Sequence, residues 1–413
     1  MLIKLGWKNI IKRPLSSGLS IVLLSSSLMI ILLSILIKDQ LEDRFFENAN
    51  KVDLVVGAKG SRLQLVLCNV FHVDKPTGNI NIKDLEFLSN HPFVKSAIPI
   101  SLGDSYKTFR IVGTEISFVK ELYKSSLIEG RLFEKSLEVV AGAGVAKKLN
   151  LKIGDTFFGS HGIEESLHNH DHFEYKIVGI LNFSGDVVDN LLITPLESVW
   201  DVHHDEKQKG SFDLRTKNDE KHHHHIDLHN NNKEITSVLI NYKSGRGKFT
   251  IPSIVNKKDK LIAAEPAIEI QQLLDLVQPI IKVINILAYF ILGLAIFSII
   301  ITLLSSMKDR YYEIAMMRVA GASQNTILIT ILIEGFIISF IGALIGFILS
   351  HLFMSIIALY LSNNFHYELT GFYFTTTELW VILFTMVIGM ISALFPAISA
   401  YKIDISRNLK SNI

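Results

Sequence analysis

The chain has 413 residues, 49% of them hydrophobic and 20% charged, with a mean hydropathy of +0.34. That is too apolar for a soluble protein and too charged for a bundle lying wholly in lipid, so apolar spans and a water-soluble domain must alternate. A net charge of +1 and the lack of a basic, aromatic stretch exclude a nucleic-acid groove. Cys68 is the only cysteine, which excludes an intramolecular disulfide and a cysteine-built metal site and predicts a buried free thiol.

The first apolar run, Pro14 to Ile37, carries no charge and follows Lys4, Lys8, Lys12 and Arg13. It exceeds the roughly 20 residues a membrane helix needs. It is also longer than a signal-peptide core and lacks a small-x-small cleavage site before Lys38, so it is expected to stay as an anchor. Residues 1–38 thus form an amphipathic leading helix and the first span.

Residues 39–279 read as one α+β domain. Short β-rich runs end at turn signals: Val52–Val56, Phe109–Gly113, Glu138–Val140, Asp155–Phe158, Tyr175–Leu181, Leu191–Thr194 and Thr236–Tyr242. Helices are predicted at Ile82–Ser89, Gly144–Leu149 and Pro266–Val277. Ala141-Gly-Ala-Gly-Val-Ala146 and Ser244-Gly-Arg-Gly-Lys248 are glycine-rich, but neither has the spacing of a phosphate loop. No nucleotide site is expected in this chain.

Eleven of the 15 histidines fall in two polar segments, read as loop insertions between strands. Residues 161–172 carry His161, His168, His170 and His172; residues 201–233 carry His203, His204, His222, His223, His224, His225 and His229. Acidic side chains are interspersed with them. Neutral imidazole suits zinc and similar late first-row metals, so these histidines are candidate zinc ligands, against the alternative of a solvated low-complexity insertion.

Three further spans follow, at 280–307, 327–361 and 378–401. The third, Ile327 to Tyr360, would be about 51 Å long at 1.5 Å per residue, well beyond the roughly 30 Å of hydrocarbon. Gly335, Ser339, Gly342, Ala343, Gly346 and Ser350 recur along it at three- and four-residue spacings, permitting close helix approach inside one protomer or between two. Glu334 is the one acid in its apolar stretch, expected near the cytoplasmic interface or within the bundle. Lysines and arginines flank the first span, the 308–326 loop (Lys308, Arg310, Arg318) and the 402–413 tail (Lys402, Arg407, Lys410), whereas 362–377 has no base. Four crossings with both termini cytoplasmic satisfy all of these. The expected fold class is a four-helix membrane protein with a large α+β extracytoplasmic domain between helices one and two.

The 308–326 loop reads Lys308-Asp-Arg-Tyr-Tyr-Glu-Ile-Ala-Met-Met-Arg-Val-Ala-Gly-Ala-Ser323, an amphipathic helix stopped by Gly321. Met316 and Met317 are adaptable apolar contacts suited to a partner's groove. The string from Tyr312 to Ser323 resembles the coupling-helix signature of the FtsX/MacB-like permeases, the membrane subunits of type VII ABC transporters. Trp7-Lys-Asn-Ile-Ile-Lys-Arg-Pro14 resembles that family's amphipathic N-terminal helix, and Ala393-Leu-Phe-Pro-Ala-Ile-Ser-Ala-Tyr-Lys-Ile-Asp404, with Asn408-Leu409, its closing proline motif. Glu138–Val140 with Lys147–Asp155 looks like the strand–helix–strand of its outer domain.

The resemblance implies a non-catalytic permease of the bacterial cytoplasmic membrane, working as a homodimer or heterodimer surrounded by lipid. Glu313, Ile314, Met316, Met317, Arg318, Gly321 and Ala322 would contact a separate ATPase subunit, which binds the ATP. Export, lipoprotein release and mechanotransmission to an envelope enzyme are all compatible with it. A membrane-anchored metal sensor without ATP-driven transport is the competing reading. Two features depart from the family pattern: the histidine segments, and the pair Val52–Ser61 and Lys75–Ile80, for which the sequence suggests no mechanism.

Overall fold

The computed structural model describes residues 2–161, 169–202, 233–309, 316–365 and 369–401. These form two compact units: 1–42 with 276–413, and 43–275.

The 43–275 unit is built on a ten-stranded mixed sheet in the order β12-β1-β11-β3-β4-β9-β6-β8-β5, with β7 pairing both β3 and β8. The strands are β1 Leu54–Ala58, β3 Val94–Tyr106, β4 Phe109–Thr114, β5 Leu127–Gly130, β6 Glu138–Ala141, β7 Thr156–His161, β8 Asn169–Leu181, β9 Leu191–Pro195, β11 Ser237–Tyr242 and β12 Leu261–Ala264. β2 Ile80–Asn81 and β10 Glu234–Ile235 make a separate two-stranded pair. β4 with β9 and β6 with β8 are parallel; the other pairs are antiparallel.

Side chains two residues apart share a face, and that alternation sorts the core. Val55, Leu239, Ile100, Val112, Ile193, Val140 and Val178 belong to one continuous cluster, joined by Leu65, Val66 and Cys68 of helix α3 (Arg62–Asn69). Their neighbours on the opposite face split into two clusters. Leu54, Val56, Val238 and Ile240 pack with Leu88 of α4 (Ile82–Ser89) and with Ile251 and Val255 of α6 (Gly245–Asn256). Phe109, Ile111, Val139 and Ile177 pack with Val145 and Ala146 of α5 (Ala143–Leu149). Every predicted strand and helix of this domain is present. Missing from the sequence reading were β3, the edge strands β5 and β12, α3 and α6. β3 runs through Ser96, Pro99, Ser101 and Gly103, residue types that read as turn punctuation, yet burial holds it extended.

The stretches 52–61 and 75–80 lock onto each other. Thr77 Oγ1 donates to Ala58 O at 3.1 Å, and Gln64 Nε2 to Lys75 O at 3.1 Å. A Cβ on Gly57 would lie 2.4 Å from Leu65 Cδ1. Gly57 therefore lets α3 fold back tightly over β1.

Among the described residues, four helices are long and apolar enough to cross a membrane: Pro14–Ala49, Pro266–Lys308, Gln324–Ser362 and Thr376–Ser399. They lie within α2 (Pro14–Ala49), α7 (Pro266–Asp309), α8 (Gln324–Phe365) and α9 (Thr376–Tyr401); α1 (Leu2–Ile11) precedes them. Each helix outruns the apolar segment that predicted it: α2 continues from Ile37 to Ala49, and α7 begins at Pro266, ahead of the span expected from 280. A capping box starts α9: Thr375 N donates to Glu378 Oε2 at 3.1 Å, and Glu378 N to Thr375 Oγ1 at 3.4 Å.

The small-residue stripe of α8 packs inside the chain. A Cβ on Gly342 would sit 2.6 Å from Leu24 Cδ2, and one on Gly346 would sit 2.8 Å from Ser25 O. On the other side, a Cβ on Gly335 would fall 2.3 Å from Ala393 Cβ, and one on Gly389 would fall 2.3 Å from Ser339 Cβ. Gly342→Leu should therefore lower the thermal unfolding midpoint of the detergent-solubilised protein, by an overpacking cost of about 1–3 kcal/mol. Gly293→Leu, at a helix position with nothing within 4 Å, should leave the midpoint close to wild type.

Candidate functional site

Of the predicted ATPase contacts, Glu313 and Ile314 lie outside the described residues. The remaining five are placed. Met316–Val319 is helical, Ala320 N donates to Met316 O and Ala322 N to Met317 O, each at 2.9 Å. Gly321 takes φ +94°, a left-handed conformation that a side chain disfavours, so it ends the helix as its position predicts. Ser323 Oγ then accepts from Thr326 N at 3.3 Å and caps α8.

The two methionines separate. Met316 is 51% exposed, as is its neighbour Val319 at 68%. Met317 is half-buried against the cluster that holds Ile10, Met307, Ile327 and Ile331. Adjacent helix positions are about 100° apart, so one side chain faces outward while the next enters the bundle. The sequence assigned both to a partner; the structure gives Met317 an internal contact. Arg318 is half-buried, and Ala322 is as well.

Behind this turn is a cavity of about 640 Å³, bordered by Lys4 and Lys8 of α1, Met317 and Gly321 of the turn, and Thr330 and Glu334 of α8. Glu334 is 3% exposed and accepts from Asn9 Nδ2 at 2.5 Å, which places it within the bundle. A Cβ on Gly6 would be 3.3 Å from Ile333 Cγ2, so the glycine lets α1 lie against α8. The leading helix and the turn thus share one wall of side chains, an arrangement to which Glu334 was the only clue in the sequence.

The glycine-rich stretches serve packing. In 141–146, a Cβ on Gly142 would fall 2.2 Å from Val188 O, and one on Gly144 2.7 Å from Asn190 Oδ1; the chain's own 188–190 segment fills the space a phosphate would need. Ser244-Gly-Arg-Gly-Lys248 opens α6.

His161, His170 and His172 belong to β7 and β8 rather than to a loop, while His168 and the seven histidines from His203 to His229 lie outside the described residues. Among the described residues no three His, Cys, Asp or Glu side chains converge on a metal position. One buried polar group escaped the sequence reading. Arg110 Nη1 lies 3.9 Å from Cys68 Sγ, and Arg110 Nη2 donates to Asp74 O. Cys68 is a buried free thiol, as expected, and burial pushes its pKa up to about 11. Burial first, and then the Arg110 charge, press His72 down to about 3. That combination keeps the thiol protonated and inert.

Residues 18–226, half of the chain, match the model of the MacB-like periplasmic core domain, and residues 285–405 match that of the FtsX-like permease C-terminal region. No curated protein sequence matches the chain. Among solved structures, the periplasmic region of MacB from Actinobacillus actinomycetemcomitans is 12% identical, with 55% of this chain and 97% of that one covered and a TM-score of 0.34. The extracellular domain of the noncanonic ABC-type transporter YknZ from Gram-positive bacteria is also 12% identical, covering 51% of this chain and 98% of that one, with a TM-score of 0.29.

Met317→Glu should destabilise the detergent-solubilised chain, lowering its thermal midpoint, because the charge would enter an apolar cluster. Met316→Glu should leave the midpoint unchanged. Equal midpoints for the two variants would contradict the outward and inward assignment.

Proposed function

Because this chain belongs to the MacB-like and FtsX-like permeases of ABC transporters, we propose that it couples ATP hydrolysis by a separate ATPase subunit to motion of its 43–275 domain. The observation that carries this reading is the Met316–Ala322 turn. It presents exposed Met316 and Val319, while Met317 packs into the bundle beside the cavity that α1 and α8 border. A partner pressing on the exposed residues would displace the inner one, and with it the first turns of α8. That helix has 42 residues, about 63 Å at 1.5 Å each, against roughly 30 Å of hydrocarbon. It is long enough to carry a displacement across the membrane. Export, lipoprotein release and mechanotransmission to an envelope enzyme all use such a stroke.

Purified alone, the chain should not hydrolyse ATP. Met316→Glu and Arg318→Glu should each abolish co-purification with the ATPase and ATP-driven activity, since a charge desolvated without a partner costs several kcal/mol. Retention of both properties in both variants would remove the docking assignment.

The basic clusters around 4–13, 308–318 and 402–410 favour cytoplasmic termini in a bacterial inner membrane, with 39–279 outside. In a Cys68→Ala chain, an impermeant maleimide should label Lys217→Cys and Asn363→Cys in intact cells and spare Ser16→Cys and Ser411→Cys. Labelling of Ser411→Cys without Lys217→Cys would reverse the topology.

A metal-linked role is the second reading, favoured by 11 histidines concentrated in two segments of the outer domain. Zinc bound there would sense or limit transport, and the same segments would serve a metal sensor that works without ATP.

A further inference from the structure

The connection between α8 and α9 covers a buried pair of side chains whose hydrogen bonding does not close. His351 of α8 and Glu378 of α9 bring Nε2 and Oε1 to 3.5 Å, with their side chains 13% and 3% exposed. The imidazole lies between Phe347 and Phe374, with ring centroids 4.5 and 4.9 Å away. His351 Nδ1 is 2.7 Å from Gly371 O. A carbonyl oxygen only accepts, so Nδ1 carries a hydrogen and donates it. That bond sets the tautomer: in a neutral imidazole the other nitrogen, Nε2, is then a bare acceptor. It faces Glu378 Oε1, which in an ionised carboxylate is an acceptor too. Neither atom has a hydrogen-bond partner.

Two buried acceptors set against each other have lost their hydration with no bond in exchange. One proton between them removes the conflict, whether it resides on Nε2 or on Oε1. The carboxyl group is held in place, because Glu378 Oε2 accepts from Thr375 N at 3.1 Å. The ring is held as well, by Gly371 O and the two aromatic faces. Among the described residues, the other charged group bearing on Glu378 is Asp39 of α2. The covering segment, 369–375, adds one titratable side chain, Tyr373, which packs with the cluster of Leu36 and Met354.

That segment is a strap across the ends of three helices. Thr370 exchanges two hydrogen bonds with Gln40 of α2, its N donating to Oε1 at 3.0 Å and Gln40 Nε2 donating to Thr370 O at 2.9 Å. Leu369 is buried with Leu36 of α2 and Met354 and Ala358 of α8. Gly371 lies so near α8 that a Cβ on it would run into Ser355 Oγ and fall 2.8 Å from His351 O. Gly371 thus carries the carbonyl that His351 grips, and Thr375 ends the strap on Glu378.

We propose that His351 and Glu378 form a binding site for one proton, and that this proton latches the strap over α2, α8 and α9. The proton belongs to the pair, not to either residue. Without it the two acceptors oppose each other, and the strap that both residues hold comes loose. The closed form binds one more proton than the open form, so rising pH favours opening, by up to roughly tenfold per pH unit.

The test uses the full chain in detergent, carrying Cys68→Ala and either Leu369→Cys, at a buried position of the strap, or Phe372→Cys, at one that is 82% exposed. The ratio of their maleimide labelling rates is followed from about pH 6 to about pH 9, on both sides of the ordinary imidazole range; the exposed thiol cancels the reagent's own pH dependence. With the native pair the ratio should rise with pH, by up to roughly tenfold per unit. Glu378→Gln sets a permanent N–H donor opposite Nε2 while its carbonyl keeps the bond from Thr375 N, so its ratio should stay low and flat. His351→Leu, which lacks the Nδ1 donor, should give a high and flat ratio. A ratio independent of pH with the native pair, or a rise in Glu378→Gln as steep as the native one, overturns the proton site. Labelling of Glu378→Gln as fast as that of His351→Leu at every pH does so too. The comparison of the native pair with Glu378→Gln decides by itself should His351→Leu fail to fold.

Discussion

Close backbone approach along α8 is the constraint on which the membrane unit depends. In lipid, apolar side chains gain little by leaving one hydrocarbon surface for another, so helices associate where small residues let many atoms meet at once. Gly342 and Gly346 admit Leu24, Ser25 and Leu28 of α2 on one side. Gly335 admits Ala393, and Gly389 admits Ser339, on the side of α9. α8 is thereby the shared post of the bundle. The Met316–Ala322 turn leads directly into its first turn, and Glu334, inside the same helix, is held by Asn9 of α1.

Glycine has a parallel role in the 43–275 unit, with a different result. Gly57 lets Leu65 of α3 close over β1, and Gly142 and Gly144 let the 188–190 segment lie against the start of α5. These contacts tie crossover connections to a sheet whose parallel pairs, β4 with β9 and β6 with β8, cannot be joined by simple hairpins. Segments that look like ligand loops in the sequence are therefore filled by the chain itself.

Elements with a single dominant signal were legible in the sequence. The uncharged runs located all four long helices, and the β-branched runs located β4, β6, β8, β9 and β11. Gly321 was read correctly as a helix stop. Signals that depend on what packs above a residue were not legible. β3 is a 13-residue central strand written with serine, proline and glycine, and only its burial between β11 and β4 makes it one. The GxxxG stripe allowed two partners, and the choice between them needed Leu24 and Ser25, over 300 residues away in sequence. The sequence offered Met316 and Met317 alike to a partner, but which of them turns inward depends on Ile10 and Met307, which the local sequence does not contain.

The separation of Met316 from Met317 bears on how a chain without a phosphate loop could use ATP. On the proposed reading, energy from hydrolysis elsewhere reaches the chain as a displacement of surface residues, and a displacement is useful only if those residues are joined to something longer. Met316 and Val319 are at the surface; Met317, one peptide away, is wedged among Ile10, Met307, Ile327 and Ile331. Gly321 confines the bend to one residue, and Ser323 restarts the helix two residues later. The turn is thereby a short corner between the exposed pair and α8, the helix whose glycine faces fix the positions of α2 and α9.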